Sequence, residues 1–188
     1  MSRAGRGGVM FDKLFKPRPA TLAGRGLFQT VSAQARSPAF YLAGGVPDTP
    51  EGRFELYCMH LVLLMHRLKG QGPQAAETSQ ALFDAFLANM DEGLRDLGVG
   101  DLSVGKKMRK LGEAIYGRVK GYDSALASLP DRAGLQGLIG RTIFGDEAAP
   151  QTPQLAAYVV TAMERLGAEP LHHVNDAHFQ WPEFAHVG

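Results

Sequence analysis

One cysteine, Cys58, and one tryptophan stand in 188 residues. A single thiol cannot build a disulfide framework, so the chain must hold its fold by packing, as expected of a protein from a reducing compartment. The densest apolar run, between Glu55 and Arg67, offers eleven uncharged residues, against the roughly 20 that a helix needs to cross a bilayer. It is not a membrane span. No apolar stretch of secretory-signal length follows the N-terminal basic residues, so export is not expected. Catalytic motifs are missing as well: there is no Gly-rich phosphate loop and no G-x-S-x-G elbow. Cys58 and His60 diverge on a helix, and Cys58 reads as a packing residue. A di-iron bundle needs Glu-x-x-His on two helices with glutamates opposite, whereas Glu183–His186 lies in the tail. The acidic face Asp84, Asp91, Glu92 and Asp96 contains Arg95 and no histidine, which marks a solvated surface. No enzyme activity, no cofactor and no metal site is expected, and nothing points to DNA.

The apolar run, GRFELYCMHLVLLMHRLKG over Gly52–Gly70, carries two histidines six residues apart. At 100° per residue they sit roughly 120° apart around a helix, so they cannot clip one metal as i, i+3 or i, i+4 pairs do. Apolar on nearly every side, this helix should be the centre of a bundle, with His60 buried on a hydrogen-bonding partner and His66 at the helix edge. The tail histidines His172, His173 and His178 lack matched helical pairs and are not read as a metal site.

Spacings of three and four recur along the rest of the chain and no convincing strand alternation appears, so the fold class is all-α: a single-domain bundle of about six helices. A first helix is expected over Leu22–Ala35. Thr49, Pro50 and Glu51 supply an N-cap, a first-turn proline and an acid for the apolar helix. Ser79, Leu82, Phe83, Phe86, Met90, Leu94 and Leu97 mark a long amphipathic helix that stops at Gly98. Ser103 should cap the next, whose stripe runs Val104, Met108, Leu111, Ile115, Val119, Tyr122 and Leu126. Pro130-Asp131 opens a helix that ends near Gly145, and Thr152-Pro153 opens one that ends at Gly167. The division is a basic, disordered arm over 1–19, a helical domain over 20–168 and an irregular tail over 169–188.

The net charge of +1 hides an asymmetry. Residues 1–36 hold seven Lys or Arg against one acid, +6, which leaves −5 for the remainder. Within the arm, MFDKLFKPRP sets Phe11, Leu14 and Phe15 on one helical side among Lys13, Lys16 and Arg18, the pattern of a short membrane-surface anchor. Arg-rich, acid-poor beginnings also occur in transit peptides, and Met10 is an alternative start. On the Val104–Leu126 helix the apolar stripe covers an arc of about 80°, with Lys106, Lys107, Arg109, Lys110, Arg118 and Lys120 opposite. Such a face suits an anionic lipid surface, ribosomal RNA or an acidic protein. With Tyr116 and Tyr122 beside it, it forms the candidate partner-binding surface. Gly112, Gly117 and Gly121, each costing a helix about 1 kcal/mol relative to alanine, imply close packing or a soft groove.

RFELYCMH (53–60), LFDAFLANMDEGLRDLGVGDLSVGKKMRKL (82–111) and YGRVKGYDSAL (116–126), preceded by PAFYLAGGVPDTPEGRF (38–54), together resemble the ubiquinol–cytochrome c chaperone family over roughly residues 30–165. The ordered combination LRDLGVGD, GKKMRKL and YGR is more specific than any one piece. The resemblance implies an all-helical, non-catalytic assembly factor that receives newly made cytochrome b near the ribosome exit and promotes assembly of ubiquinol–cytochrome c reductase. It gives no residue-level site. The short N-terminal extension suggests a bacterial relative, cytoplasmic or peripheral on the inner face of the cytoplasmic membrane. Two further readings stand beside it: a peripheral anionic-membrane-binding helical protein, and a metal or haem enzyme motivated only by the histidines and acidic face.

Overall fold

A computed structural model describes residues 18–184. Among them there is no strand, and the helices are α1 (Pro19–Ala35), α2 (Pro38–Leu42), α3 (Pro50–Leu68), α4 (Pro73–Asp96), α5 (Asp101–Ala127), α6 (Ala133–Ile139) running into a π turn (Gly140–Phe144), α7 (Thr152–Ala168) and α8 (Leu171–Asn175). The all-α expectation holds, and α1, α3, α4, α5, α7 and the α6–π unit make up the expected bundle.

Apolar on nearly every side, α3 becomes the axis: Leu56 through Leu64 are all buried. Each fully buried leucine contributes about 1.5–3 kcal/mol, and α1, α4, α5, α7 and the π turn pack around this rod. Its start follows local chemistry, since the Thr49 hydroxyl accepts from the Gly52 amide at 3.1 Å. Gly52 is required there because a Cβ would lie 2.1 Å from the Pro47 carbonyl oxygen.

The α1 and α4 helices run side by side in the same direction, with Gly24 against Ala81 and Phe28 edge-on to Phe86. At Gly24 an added Cβ would meet the Ala81 backbone at 2.4 Å, so only glycine allows this approach. α4 stops at Gly98, whose φ is 76°, as its sequence implied. α5 differs from expectation at its start: it begins at Asp101 after Gly100, and Ser103 lies inside the first turn rather than capping it. α1 begins at Pro19, three residues before the expected Leu22, because proline at the first position needs no amide partner.

The C-terminal segment, expected as an irregular tail, forms one short helix and is otherwise irregular, and it packs on the core. α8 buries Val174, and after it the chain runs without regular structure to Phe184, which is buried against Phe40 and Tyr158. Gln34 of α1 donates to the Pro182 carbonyl at 3.0 Å and anchors this strap. The single tryptophan, Trp181, packs edge-on to His60.

Candidate functional site: an apolar groove beside a basic ridge

The last turns of α3, the first half of α4 and the second half of α5 enclose a groove of about 530 Å³. Val62, Leu68 and Ile115 form its floor, Phe83 and Val119 its walls. Tyr116, 62% exposed, stands at the lip with the Lys120 ammonium 4.6 Å above its ring. The groove stays open partly because of Gly112, where an added Cβ would meet nothing within 4 Å. Gly117 is equally open, whereas Gly121 lies where a Cβ would come 2.9 Å from Leu138 of α6. Both glycine roles read from the sequence therefore occur, on different turns of one helix.

One end of the groove is polar. Asp123 accepts from His66 Nδ1 at 2.9 Å and from Lys69 Nζ at 2.7 Å. These two donors, Lys69 first, hold its carboxyl below the usual carboxylate range. His66 sits at the helix edge as expected, but its link to Asp123, 57 positions later, has no signature in either local stretch.

Toward the α4–α5 turn the half-buried residues Leu87, Met90 and Leu94 continue the line of Phe83 along α4. From Ala76 to Leu94 this strip is about 27 Å long at 1.5 Å per residue. It matches the length of an eighteen-residue helix, and methionine lets such a surface adapt to different side chains.

The residues singled out from the sequence fall into four groups. Lys106, Lys107, Arg109 and Lys110 are exposed on the solvent face of α5 and pair with no acid among the described residues. Tyr116 is at the groove lip, beneath Lys120. Arg118 and Tyr122 are not on that surface. The Arg118 guanidinium donates from Nε to Glu55 Oε2 at 2.7 Å and from Nη2 to Oε1 at 2.5 Å, a fork that joins α5 to α3. Glu55 is only 8% exposed, so this arginine neutralises a buried carboxylate. Tyr122, 1% exposed, is a core residue because it lies in line with Ile115 rather than with the cations. Of the arm, Arg18 is exposed at the start of α1, while Phe11, Lys13, Leu14, Phe15 and Lys16 lie outside the described residues.

His60 is fully buried. Its Nδ1–H donates to the Leu56 carbonyl at 2.8 Å, and its Nε2 accepts from the Tyr158 hydroxyl at 2.7 Å. The Tyr158 oxygen accepts in turn from Gln34 Nε2 at 3.0 Å. Both ring nitrogens are thereby used within the core. Burial pushes the imidazole down from 6.5 to about 4, so the ring is neutral. Cys58 is buried and its thiol is pushed well up by burial, consistent with packing. Among the described residues no three His, Cys, Asp or Glu side chains gather as a metal site. No helix there is long and apolar enough to cross a membrane.

The family model described as Ubiquinol-cytochrome C chaperone matches residues 42–181. The chain belongs to this family. The matched region contains the whole groove, the basic ridge and the C-terminal strap as far as Trp181. The fold is also that of a crystal structure of the Cbp3 homolog from Brucella abortus, with a TM-score of 0.82 and 32% identity over 95% of this chain and 100% of that one. No curated protein matches the chain.

Proposed function

We propose that this chaperone-family protein assists assembly of ubiquinol–cytochrome c reductase by holding an apolar segment of newly made cytochrome b in the α3–α4–α5 groove. The observation that carries the reading is the largely apolar groove of about 530 Å³ between α3, α4 and α5, continued along α4 by the half-buried Leu87, Met90 and Leu94. An amphipathic or apolar helix laid in such a groove docks through side chains every three or four residues. The Lys106–Lys110 ridge beside it supplies a charged surface for the ribosome exit region or the inner face of the cytoplasmic membrane, where anionic groups are dense. No step of this activity requires bond making, so the protein acts by binding and release.

The test is affinity recovery of cytochrome b from native membranes with the full chain and with Gly112→Leu, whose added Cβ meets nothing within 4 Å and whose side chain occupies the groove. Recovery should fall at least about tenfold, equivalent to about 1.4 kcal/mol. Equal recovery by both proteins, at equal melting temperature, would place the client elsewhere. The four unpaired cations favour a second reading, a peripheral protein of anionic membranes. Liposome flotation of K106Q/K107Q/R109Q/K110Q against the wild type separates the two, because loss of flotation with full client recovery would make the ridge a membrane contact alone.

A further inference from the structure

The N-terminal arm enters the fold at one end of the groove. α1 lies against α4 in the same direction, with Gly24 at Ala81 and Leu82 and Phe28 at Phe86. Pro19, five residues before Gly24, is therefore level with Ala76 and Glu77, five residues before that contact, and Ala76 lines the groove. At about 100° per residue, Ala81 and Leu82 stand on the side of α4 opposite to the groove-lining Ala76, Gln80 and Phe83. One flank between those two sides is closed, since Ala75 and Phe86 on it are buried. The other flank is open and acidic: it carries Glu77 and Asp84, both exposed, and neither pairs with a cation among the described residues. The α5 lip, by contrast, is cationic at Lys120.

We infer that the chain's own segment Met10–Phe15 docks in the α3–α4–α5 groove while no client is bound, reaching it across the acidic flank of α4. Residues 1–17 lie outside the described structure and carry four cations, Arg3, Arg6, Lys13 and Lys16, against the single acid Asp12. Lys13 and Lys16 bracket the apolar pair Leu14 and Phe15, so a chain crossing Glu77 and Asp84 gains charge pairing on the way to an apolar trough. The length suffices. Packed helices stand about 8–10 Å apart and the groove lies as far again beyond α4, a crossing of about 16–20 Å. Seven extended residues, from Arg18 back to Phe11, span about 23–25 Å. Phe11 therefore reaches the trough, and Leu14 and Phe15, about 10–14 Å from Arg18, cover its α4 edge. A tethered segment meets the groove at an effective concentration of about 1 mM, so a contact too weak to persist between separate molecules still fills it. Exposed ion pairs are individually weak, so the apolar side chains supply the affinity and the acids of α4 set the path. Docking shields the groove until a client displaces the arm. That consequence rests on the client reading above, whereas the docking itself does not.

The test is photocrosslinking of the purified full chain, without client or membrane, carrying a photoreactive phenylalanine analogue at Phe11 or, as a control, at the exposed Leu22 of α1. Illumination at about 1 µM, far below the effective concentration of the tether, should give adducts within one chain. From position 11 they should map to Phe83, Ile115 or Val119 in the groove, and from Leu22 there should be none. The yield from position 11 should fall severalfold in Gly112→Leu, which takes up the groove, and in E77Q/D84Q at low salt. No groove adduct, adducts only between two copies, or a yield indifferent to both variants would overturn the inference. Absence of groove adducts together with arm-dependent flotation on phosphatidylglycerol vesicles would overturn it in favour of a membrane contact. Removal of residues 1–17 should raise recovery of cytochrome b severalfold when the chaperone is limiting. Groove adducts with client recovery unchanged would uphold the docking and count against the client's use of the groove, so the two readings fail separately.

Discussion

Acidification should loosen this protein through one side chain. His60 has both ring nitrogens satisfied only while neutral: Nδ1–H serves the Leu56 carbonyl and Nε2 accepts from Tyr158. A proton on Nε2 would leave a buried charge opposite a hydroxyl oxygen already engaged by Gln34. Burial therefore holds the folded imidazole near 4, against 6.5 for the ordinary group. Between those values the unfolded chain binds a proton that the folded chain does not, so stability rises with pH there. The contribution is complete above 6.5 and is lost as the pH falls toward 4. The gap corresponds to roughly 3 kcal/mol in all, or about 6–12 °C in melting temperature for a chain of this size. Urea unfolding from pH 7.5 to 4.5 reads it, with His60→Gln as a reference that keeps an acceptor for Tyr158 but does not titrate. The Asp48 and Asp123 carboxyls, both held low by cationic partners, lose their contributions at lower pH and equally in the two proteins. Parallel pH profiles for wild type and His60→Gln would refute the reasoning.

Arg118→Ala should destabilise by about 3–5 kcal/mol in chemical denaturation, because it strands Glu55 in the core. Replacing both partners by Glu55→Leu and Arg118→Met should recover most of that loss; an additive double variant would contradict the ion-pair account. Gly121→Val should cost more than about 1 kcal/mol by forcing α5 from Leu138, whereas Gly112→Leu should leave stability unchanged or improve it by up to about 1 kcal/mol through helix propensity. Thermal melts of the two decide, and equal effects would mean that α5 is equally packed at both turns.

Periodicity was enough to place the long helices, because α4 and α5 repeat their apolar residues at three and four over many turns, and enough to put His60 inside. The π turn over Gly140–Phe144 was legible only as helix, since its register shift depends on Gly140 lying against the Asp146 and Glu147 backbone. α2 is a single turn, too short to show a period. The strap failed to appear for a different reason: Trp181 and Phe184 have no periodicity, and their packing depends on a surface built by α1, α2, α3 and α7. At the groove, the cations and Tyr116 were visible as one face of α5. Arg118 looked like a member of that face because a helical projection cannot show that α3 supplies Glu55 beneath it. Tyr122 was drawn in by its aromatic ring although its position in the stripe already marked it as core. The His66–Asp123–Lys69 cluster joins distant segments and becomes evident only once the helices are packed.

The central claim is that the open groove, and not another face, receives cytochrome b. A photoreactive phenylalanine analogue placed singly at Gly112, Tyr116 or Phe83, and at the exposed control positions Asp131 and Arg165 away from the groove, tests it in cells that synthesise the client. The account predicts ultraviolet-dependent adducts with cytochrome b from the three groove positions and none from the controls. Adducts from the controls with none from the groove would contradict it.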